Sequence, residues 1–262
     1  MVACDVAQPN QQIGTKVISV NLCGGIGNTL FQYSFARSLA EKHNVCLLDA
    51  CTQYGCQLGR FNTTLPVLPH PGWRWIAERS LRFDPQPEIE ENSILAGYWQ
   101  CEKYFSHISD TICAELTLRE PLSHAAKIAA TLISGTPNSV MLHVRRGDYL
   151  TWAAQRHGVL PVSYYQEAAK QFANPHFFIF SDDDSYSLPL PYPMTRIRCT
   201  PHEDLHLMSL CKHAIIANSS FSWWGAWLGA DKHGGFVVAP KQWFRTGNAD
   251  AQDIVPKRWT QI

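Results

Sequence analysis

Two consecutive arginines at the end of an apolar run are the residues of this sequence best suited to chemistry. In Met141-Leu142-His143-Val144-Arg145-Arg146-Gly147-Asp148-Tyr149 an apolar strand drives into Arg145 and Arg146, between His143 and Asp148. A guanidinium stays charged at any working pH, and its planar fork of donors pairs bidentately with phosphate oxygens. The carboxyl ends of strands in an open α/β sheet are also where ligands bind. The plain alternative is a surface ion pair between Arg146 and Asp148 after an edge strand. For an isolated R-R-x-D that alternative is the better one, and only the rest of the chain weighs against it. Asp148 is also the carboxylate nearest the arginines, which makes it the candidate general base.

Three further segments offer chemistry. Gly24-Gly25-Ile26-Gly27-Asn28 stands between a strand and a helix, where backbone N–H groups can approach a phosphate at the helix N-terminus. It lacks the third glycine of the dinucleotide fingerprint, but Asp49 closes the second strand about twenty residues on, where a ribose-binding acid would sit. An NAD-dependent oxidoreductase built on Gly25, Gly27 and Asp49 is therefore a competing reading. Phe178-Ile179-Phe180-Ser181-Asp182-Asp183-Asp184 again ends a strand in acids, able to accept hydrogen bonds from a base, hold a metal as D-x-D, or merely cap a solvated turn. Ala217-Asn218-Ser219-Ser220-Phe221-Ser222-Trp223-Trp224-Gly225-Ala226-Trp227 passes from a strand through Asn and hydroxyls into a helix carrying three tryptophans. The hydroxyls can cap the helix, bind phosphate, or do both. The tryptophans serve a core more often than a sugar platform.

The elements that position these residues alternate. A strand over 16–22, the glycine turn, a helix over 28–43 and a strand over 45–48 form a βαβ opening. From Thr52 to about Gln86 the pattern dissolves into Gly, Pro and aromatic residues and reads as loop. A strand over 94–99 and helices over 104–118 and 123–133 follow. Ser134-Gly135-Thr136-Pro137-Asn138 is the best linker. Beyond it come strands over 139–144, 176–180, 195–199, 214–217 and 236–239, with helices over 163–172, 203–211 and 220–228. Such alternation predicts parallel sheets. The domains expected are a disordered tail at 1–14, an N-terminal Rossmann-like domain at 15–135 and a C-terminal one at 136–262.

Composition excludes several classes. Lys+Arg 22 against Asp+Glu 22 gives no net charge in 262 residues, so no global field holds nucleic acid or an anionic membrane. Nine cysteines, an odd number without a CxxC pair, predict reduced thiols, and Cys46, Cys51 and Cys56 lack the partners of a zinc site. The opening residues have neither a basic start nor an apolar run, and no apolar stretch approaches a membrane span of about 20 residues. The second of two sequons, at Asn218, falls inside a candidate site. The expected location is cytoplasmic, without stable membrane insertion and with peripheral association left open.

Together these segments resemble the glycosyltransferase family 11 α-1,2-fucosyltransferases, chiefly the short bacterial members. The resemblance rests on GGIGNTLFQYSFARSLA at 24–40, GYWQCEKYF at 97–105, HVRRGDY at 143–149, LPVSYYQEA at 160–168, FSDD at 180–183, EDLHLMSLCKHAIIANSSFSWWGAWL at 203–228 and IVPKRW at 254–259. It implies a GT-B fold: α/β, two Rossmann-like domains facing a central cleft, acceptor on the N-terminal side and GDP-fucose held mainly by the C-terminal one. It implies inverting transfer of L-fucose from GDP-β-L-fucose to the 2-hydroxyl of a terminal β-galactose, with no cofactor and no divalent metal. By likeness, Arg145 and Arg146 serve the diphosphate, and His143, Asp182 and Asp183 serve the guanosine. Ser219, Ser220 and Phe221 lie against the phosphates, and Gly25 and Asn28 close the cleft. The sequence departs from the family pattern at Thr29, where relatives more often carry Gln. It departs again after Asp183, where Ser185-Tyr186-Ser187 replaces an expected Trp. The competing readings are another GDP-sugar transferase, the NAD enzyme, a metal-dependent GT-A transferase using Asp182 and Asp184, and a non-catalytic carbohydrate-binding protein.

Overall fold

The computed structural model describes residues 17–49, 57–67, 73–246 and 251–262. The expected tail, Cys51 and Cys56 lie outside them. Strands β1 (Val17–Leu22), β2 (Asn44–Asp49), β3 (Arg74–Ala77) and β4 (Ser93–Ala96) form one sheet in the order β2-β1-β4-β3, every pair parallel. Strands β5 (Ser139–Val144), β6 (His176–Ser181), β7 (Met194–Ile197), β8 (His213–Ile215), β9 (Val237–Ala239) and β10 (Thr260–Gln261) form the other, ordered β10-β9-β8-β5-β6-β7 and again wholly parallel. Counted from β5, that order is 3-2-1-4-5-6 read from the far edge, the arrangement of a doubly wound nucleotide-binding sheet. Its direction of winding reverses between β5 and β8. The equivalent reversal in the first sheet falls between β1 and β4.

The strand sequences explain the sheets. All six residues of β5 are buried, without polar alternation, because both faces are covered. Val140, Leu142 and Val144 pack with Tyr164 and Tyr165 of helix α4 (Val162–Ala169), while Met141 joins the core on the opposite face. Helix α3 (His124–Ser134) is capped by Ser123, whose hydroxyl accepts from Ala126 N. Helix α5 (Pro201–Ser209) opens on a Thr200–Glu203 capping box. Glu203 also accepts from Ser123 N at 2.7 Å, tying the starts of α3 and α5 together.

Helix α1 (Ile26–Leu39) is buried on most sides because it serves both sheets. It packs on β1 and also meets helix α6 (Ser220–Ala226) at their N-terminal ends. A Cβ on Gly27 would stand 2.5 Å from the backbone of Ser220 and Phe221, so only glycine permits that approach. Trp224 Nε1 donates to Gly27 O at 3.0 Å, and Phe31 packs against Trp223 and Trp224 at ring separations of 4.5 and 5.0 Å. One hydrophobic core therefore runs from β1 through α1 and α6 to β9.

The structure corrects several sequence expectations. Strand β3 lies within the stretch read as loop, as an edge strand with one of four residues buried, too short and exposed for a periodic signal. Residues 104–118 are not one helix but two 3-10 turns, Glu102–Tyr104 and Ser106–Ile108, followed by α2 (Ser109–Glu115). Phe105 leaves helical geometry at φ −136° where its ring stacks on Trp224. Helix α6 continues past Ala226 as a π turn, Trp227–Asp231. Strand β10, unpredicted, completes the second sheet.

Gly27→Ala is expected to destabilise by about 1–3 kcal/mol through overpacking, a fall in Tm of roughly 2–10 °C at this chain length. Gly25→Ala, whose Cβ would meet nothing within 4 Å, should change Tm little. Thermal denaturation of the two variants side by side checks the contrast.

Candidate active site

Strands β5 and β8 are neighbours, with Leu142 opposite Ile215, so the segments leaving their carboxyl ends, Arg145–Asp148 and Ala217–Ser220, emerge side by side at the reversal point. Tyr149 joins them, its hydroxyl donating to Asn218 O at 2.8 Å. Burial pushes the Tyr149 phenol above its ordinary range and keeps it a donor. Asn218 is buried and its amide donates to the carbonyls of His157, Gly158 and Trp243, at 3.1 to 3.2 Å. That asparagine fixes loops rather than offering a glycan attachment point.

The arginines are paired differently from the surface pair considered above. Arg145 lies 2.5 Å from Asp148 through Nη2 and 3.0 Å from Asp182 through Nη1, with its guanidinium 5.4 Å from the Tyr149 ring. Arg146 pairs instead with Asp183, Nε to Oδ2 at 2.9 Å, and lies 4.0 Å over the Tyr186 ring. Hence Asp148 partners Arg145 and not Arg146. It is a charge contact rather than an aligned bond, since its Oδ1 is buried without a hydrogen-bond partner among the described residues. Asp182 also accepts from Arg146 N at 2.8 Å, and a Cβ on Gly147 would stand 2.6 Å from its other oxygen. Asp183 is held below the usual carboxylate range by the Ser185 hydroxyl and by Arg146. The acids of β6 thus orient the arginines of β5.

His143 projects from β5 toward α6, its ring 5.8 Å from that of Phe221. It is 3% exposed, and its Nδ1 has no partner among the described residues. Burial pushes the imidazole down to about 3, and the Arg145 charge acts in the same direction, so the ring is neutral. Ser219 is the N-cap residue of α6, but its side chain makes no capping bond, contrary to the simplest expectation. Ser220 Oγ donates across to Asn28 Oδ1 at 2.7 Å, and Gln100 Nε2 donates to the same oxygen at 2.8 Å. Gly25, the N-cap of α1, faces open space. The structure therefore gathers His143, Arg145, Arg146, Asp148, Asp182 and Asp183 along one sheet edge, with Phe221 beside His143. Ser220 is hydrogen-bonded to Asn28 where α6 meets α1.

Sequence reasoning missed Tyr149, Tyr186 and Gln100. Each lay inside a segment already singled out, and tyrosine or glutamine within a motif carries no signal of its own until a partner is visible. The sugar-platform role of the tryptophans is overturned: Trp223 and Trp224 are fully buried and Trp227 is 5% exposed. Gly27, central to the NAD reading, faces protein backbone instead of open space. Asp184, the second acid of the D-x-D, contacts Arg198.

Comparison with known proteins decides the family. The model of glycosyl transferase family 11 matches residues 72–262. The chain belongs to this family. It is 29% identical over 290 residues to an α-1,2-colitosyltransferase of Escherichia coli, covering 94% of this chain and 99% of that one. It is 26% identical over 231 residues to galactoside α-(1,2)-fucosyltransferase 1 of Alouatta caraya, covering 78% of this chain and 63% of the relative's length. Among solved structures, fucosyltransferase NodZ from Bradyrhizobium superposes with a TM-score of 0.54 at 14% identity, over 82% of this chain and 93% of that one. The fold of this family 11 member is accordingly GT-B, which removes the GT-A reading, and it is a glycosyltransferase. Among the described residues no helix is long and apolar enough to cross a membrane.

A histidine whose folded pKa lies below its unfolded value makes the unfolded chain bind more protons between the two, so stability falls as pH falls from 6.5 toward about 3. His143→Asn should flatten the acid limb of the stability curve by up to one proton. Urea denaturation at successive pH values measures that slope.

Proposed function

We propose that this family 11 member transfers L-fucose from GDP-β-L-fucose to the 2-hydroxyl of a terminal β-galactose, with inversion, forming an α-1,2 linkage. The observation that carries this reading is Arg145. Its guanidinium is held between Asp148 and Asp182 at the carboxyl end of β5, beside the start of α6. Departure of GDP concentrates negative charge on the diphosphate while the sugar becomes oxocarbenium-like. A preoriented guanidinium serves that charge without reorganising at the moment of reaction. Arg145 places Nη1 and Nη2 on protein acids and keeps further N–H donors for phosphate oxygens. Arg146 and the positive N-terminal end of α1 add to the field. With charge supplied this way, the reaction needs no divalent cation.

His143 and the Asp183 loop take the base and ribose in this reading. A neutral imidazole with an unpartnered buried nitrogen is matched to an uncharged heterocycle, because the ligand supplies the bond that protein does not. Ser219 and Phe221 lie at the phosphate end, and Gly25 leaves its backbone open to approach. Asp148 is the candidate base. A dissociative transition state asks little deprotonation of the acceptor hydroxyl before attack. Transfer of colitose, which lacks the 3-hydroxyl of fucose, is the second reading, favoured by the full-length similarity to a colitosyltransferase.

Incubation with GDP-fucose and a panel of β-galactosides, reading GDP release and product linkage, tests the proposal, with activated colitose offered in parallel. Arg145→Ala is expected to lower turnover by about 10²–10³ while Tm is retained. Arg145→Lys should be nearly as poor because a point charge cannot reproduce the fork. Excess EDTA should leave the rate unchanged. Near-normal turnover in Arg145→Ala would remove the assignment.

A further inference from the structure

A cavity of about 270 Å³ opens beyond the carboxyl ends of β3 and β4 and is lined by Glu78, Arg79, Arg82, Phe83, Trp99 and Tyr104 among others. It lies on the same sheet edge as the glycine turn of α1. Only β4 separates β3 from β1, so two inter-strand steps, about 10 Å, set the distance along that edge. The cavity plays no part in the donor site described above.

Its construction is specific. Glu78 accepts from Tyr98 N at 2.8 Å through one oxygen and from Trp99 N at 3.1 Å through the other. Each oxygen keeps a lone pair for a further donor. The space above Gly97 is filled by the Glu78 side chain, so no other residue fits there. Burial pushes the Glu78 carboxyl up. Trp99 adopts φ +53°, the left-handed region, which for a bulky residue costs on the order of 1–3 kcal/mol and persists only where the surroundings dictate it. They do so here: the indole stacks on Phe35 at 4.2 Å and meets Tyr104 edge-on at 5.9 Å, while Glu78 grips the backbone N–H. The indole Nε1, buried, has no hydrogen-bond partner among the described residues. The strained turn then leads directly to Gln100 and its bond to Asn28, the residue that also receives Ser220.

A carboxylate with acceptor capacity left and an aromatic wall suit a neutral polyhydroxylated ring. Hydroxyls donate to the carboxylate, and the C–H face covers the aromatics. A phosphate is a poor fit, because Glu78 is an acid and Arg79 is already paired with Glu88 at 2.9 Å. We propose that this cavity seats a sugar ring of the acceptor glycan, its hydroxyls bonded to Glu78 and its C–H face against Phe83, Trp99 and Tyr104. The proposal rests on the glycosyl-transfer reading of the arginine site. It makes Glu78 an acceptor-binding residue on the N-terminal sheet, linked through residues 97–100 to the point where α1 meets α6.

The test compares the wild-type chain with Glu78→Gln and Ser80→Trp. The first keeps shape and loses an acceptor. The second fills the cavity from its exposed lining residue, giving up the Ser80 Oγ bond from Arg82 N and leaving the Glu78 carboxylate in place. Steady-state transfer from GDP-fucose to the best β-galactoside of the panel is measured together with thermal protection by GDP. Both variants should raise the acceptor KM by about tenfold, with donor KM and GDP protection unchanged. Glu78→Gln should also lose a few degrees of Tm. Because Ser80→Trp leaves the Glu78 bonds intact, a folded Ser80→Trp with unchanged acceptor KM, or with donor KM altered instead, overturns the inference. Absence of GDP protection in the wild type would instead overturn the donor reading on which it rests.

Discussion

The close approach of α1 to α6 at Gly27 is the constraint on which the rest of the molecule depends. Two parallel sheets end their strands toward a common region only if the helices following β1 and β8 can meet, and they meet backbone to backbone. The absent side chain at residue 27 lets the Trp224 indole reach the Gly27 carbonyl, and the aromatic stack of Phe31, Phe105, Trp223 and Trp224 closes behind it. The same contact puts Asn28 within reach of Ser220 and Gln100, so one side chain joins the reversal points of both sheets. Bringing the positive ends of two helices together costs electrostatic energy that an anion between them would return.

At the second sheet, arginines and acids alternate between adjacent strand ends: Arg145 and Arg146 from β5 against Asp182 and Asp183 from β6. Half-exposed ion pairs of this kind contribute little to stability, about 0–1 kcal/mol each. Their effect is orientation. Each guanidinium is fixed by carboxylates, two at Arg145 and one at Arg146, and over one face by an aromatic ring, Tyr149 or Tyr186, with its remaining donors directed by that placement.

Much of this was legible in the residues, for reasons that can be named. The boundaries of β5 were readable because a strand buried on both faces is a continuous apolar run ended by charge. The arginine pair, the glycine turn and the Asn-Ser-Ser segment announced themselves because each concentrates unusual residue types at a strand end. Pairing was not readable: nothing local says that Arg146 chooses Asp183 over Asp148, because the choice is made by the β5–β6 register. Nor was β3, four residues of an exposed edge, or Glu78 just beyond it, whose importance appears only when the Tyr98–Trp99 backbone folds over its carboxylate. The tryptophans of α6 read correctly as core, since large aromatics serve a core more often than a ligand.

The shared core bears on how such an enzyme works. Domains joined by small polar interfaces move against each other by default. Here Phe31 of the first half packs against both Trp223 and Trp224 of the second, and Trp224 Nε1 crosses to Gly27 O at 3.0 Å. Rotating one sheet away from the other would expose fully buried aromatic surface, each ring of which is worth several kcal/mol when truncated. Opening and closing of the cleft by rigid rotation is therefore expensive in this chain. The strand-end segments are tied down as well, 148–158 through His157 and Gly158 to Asn218 and 97–100 by Glu78.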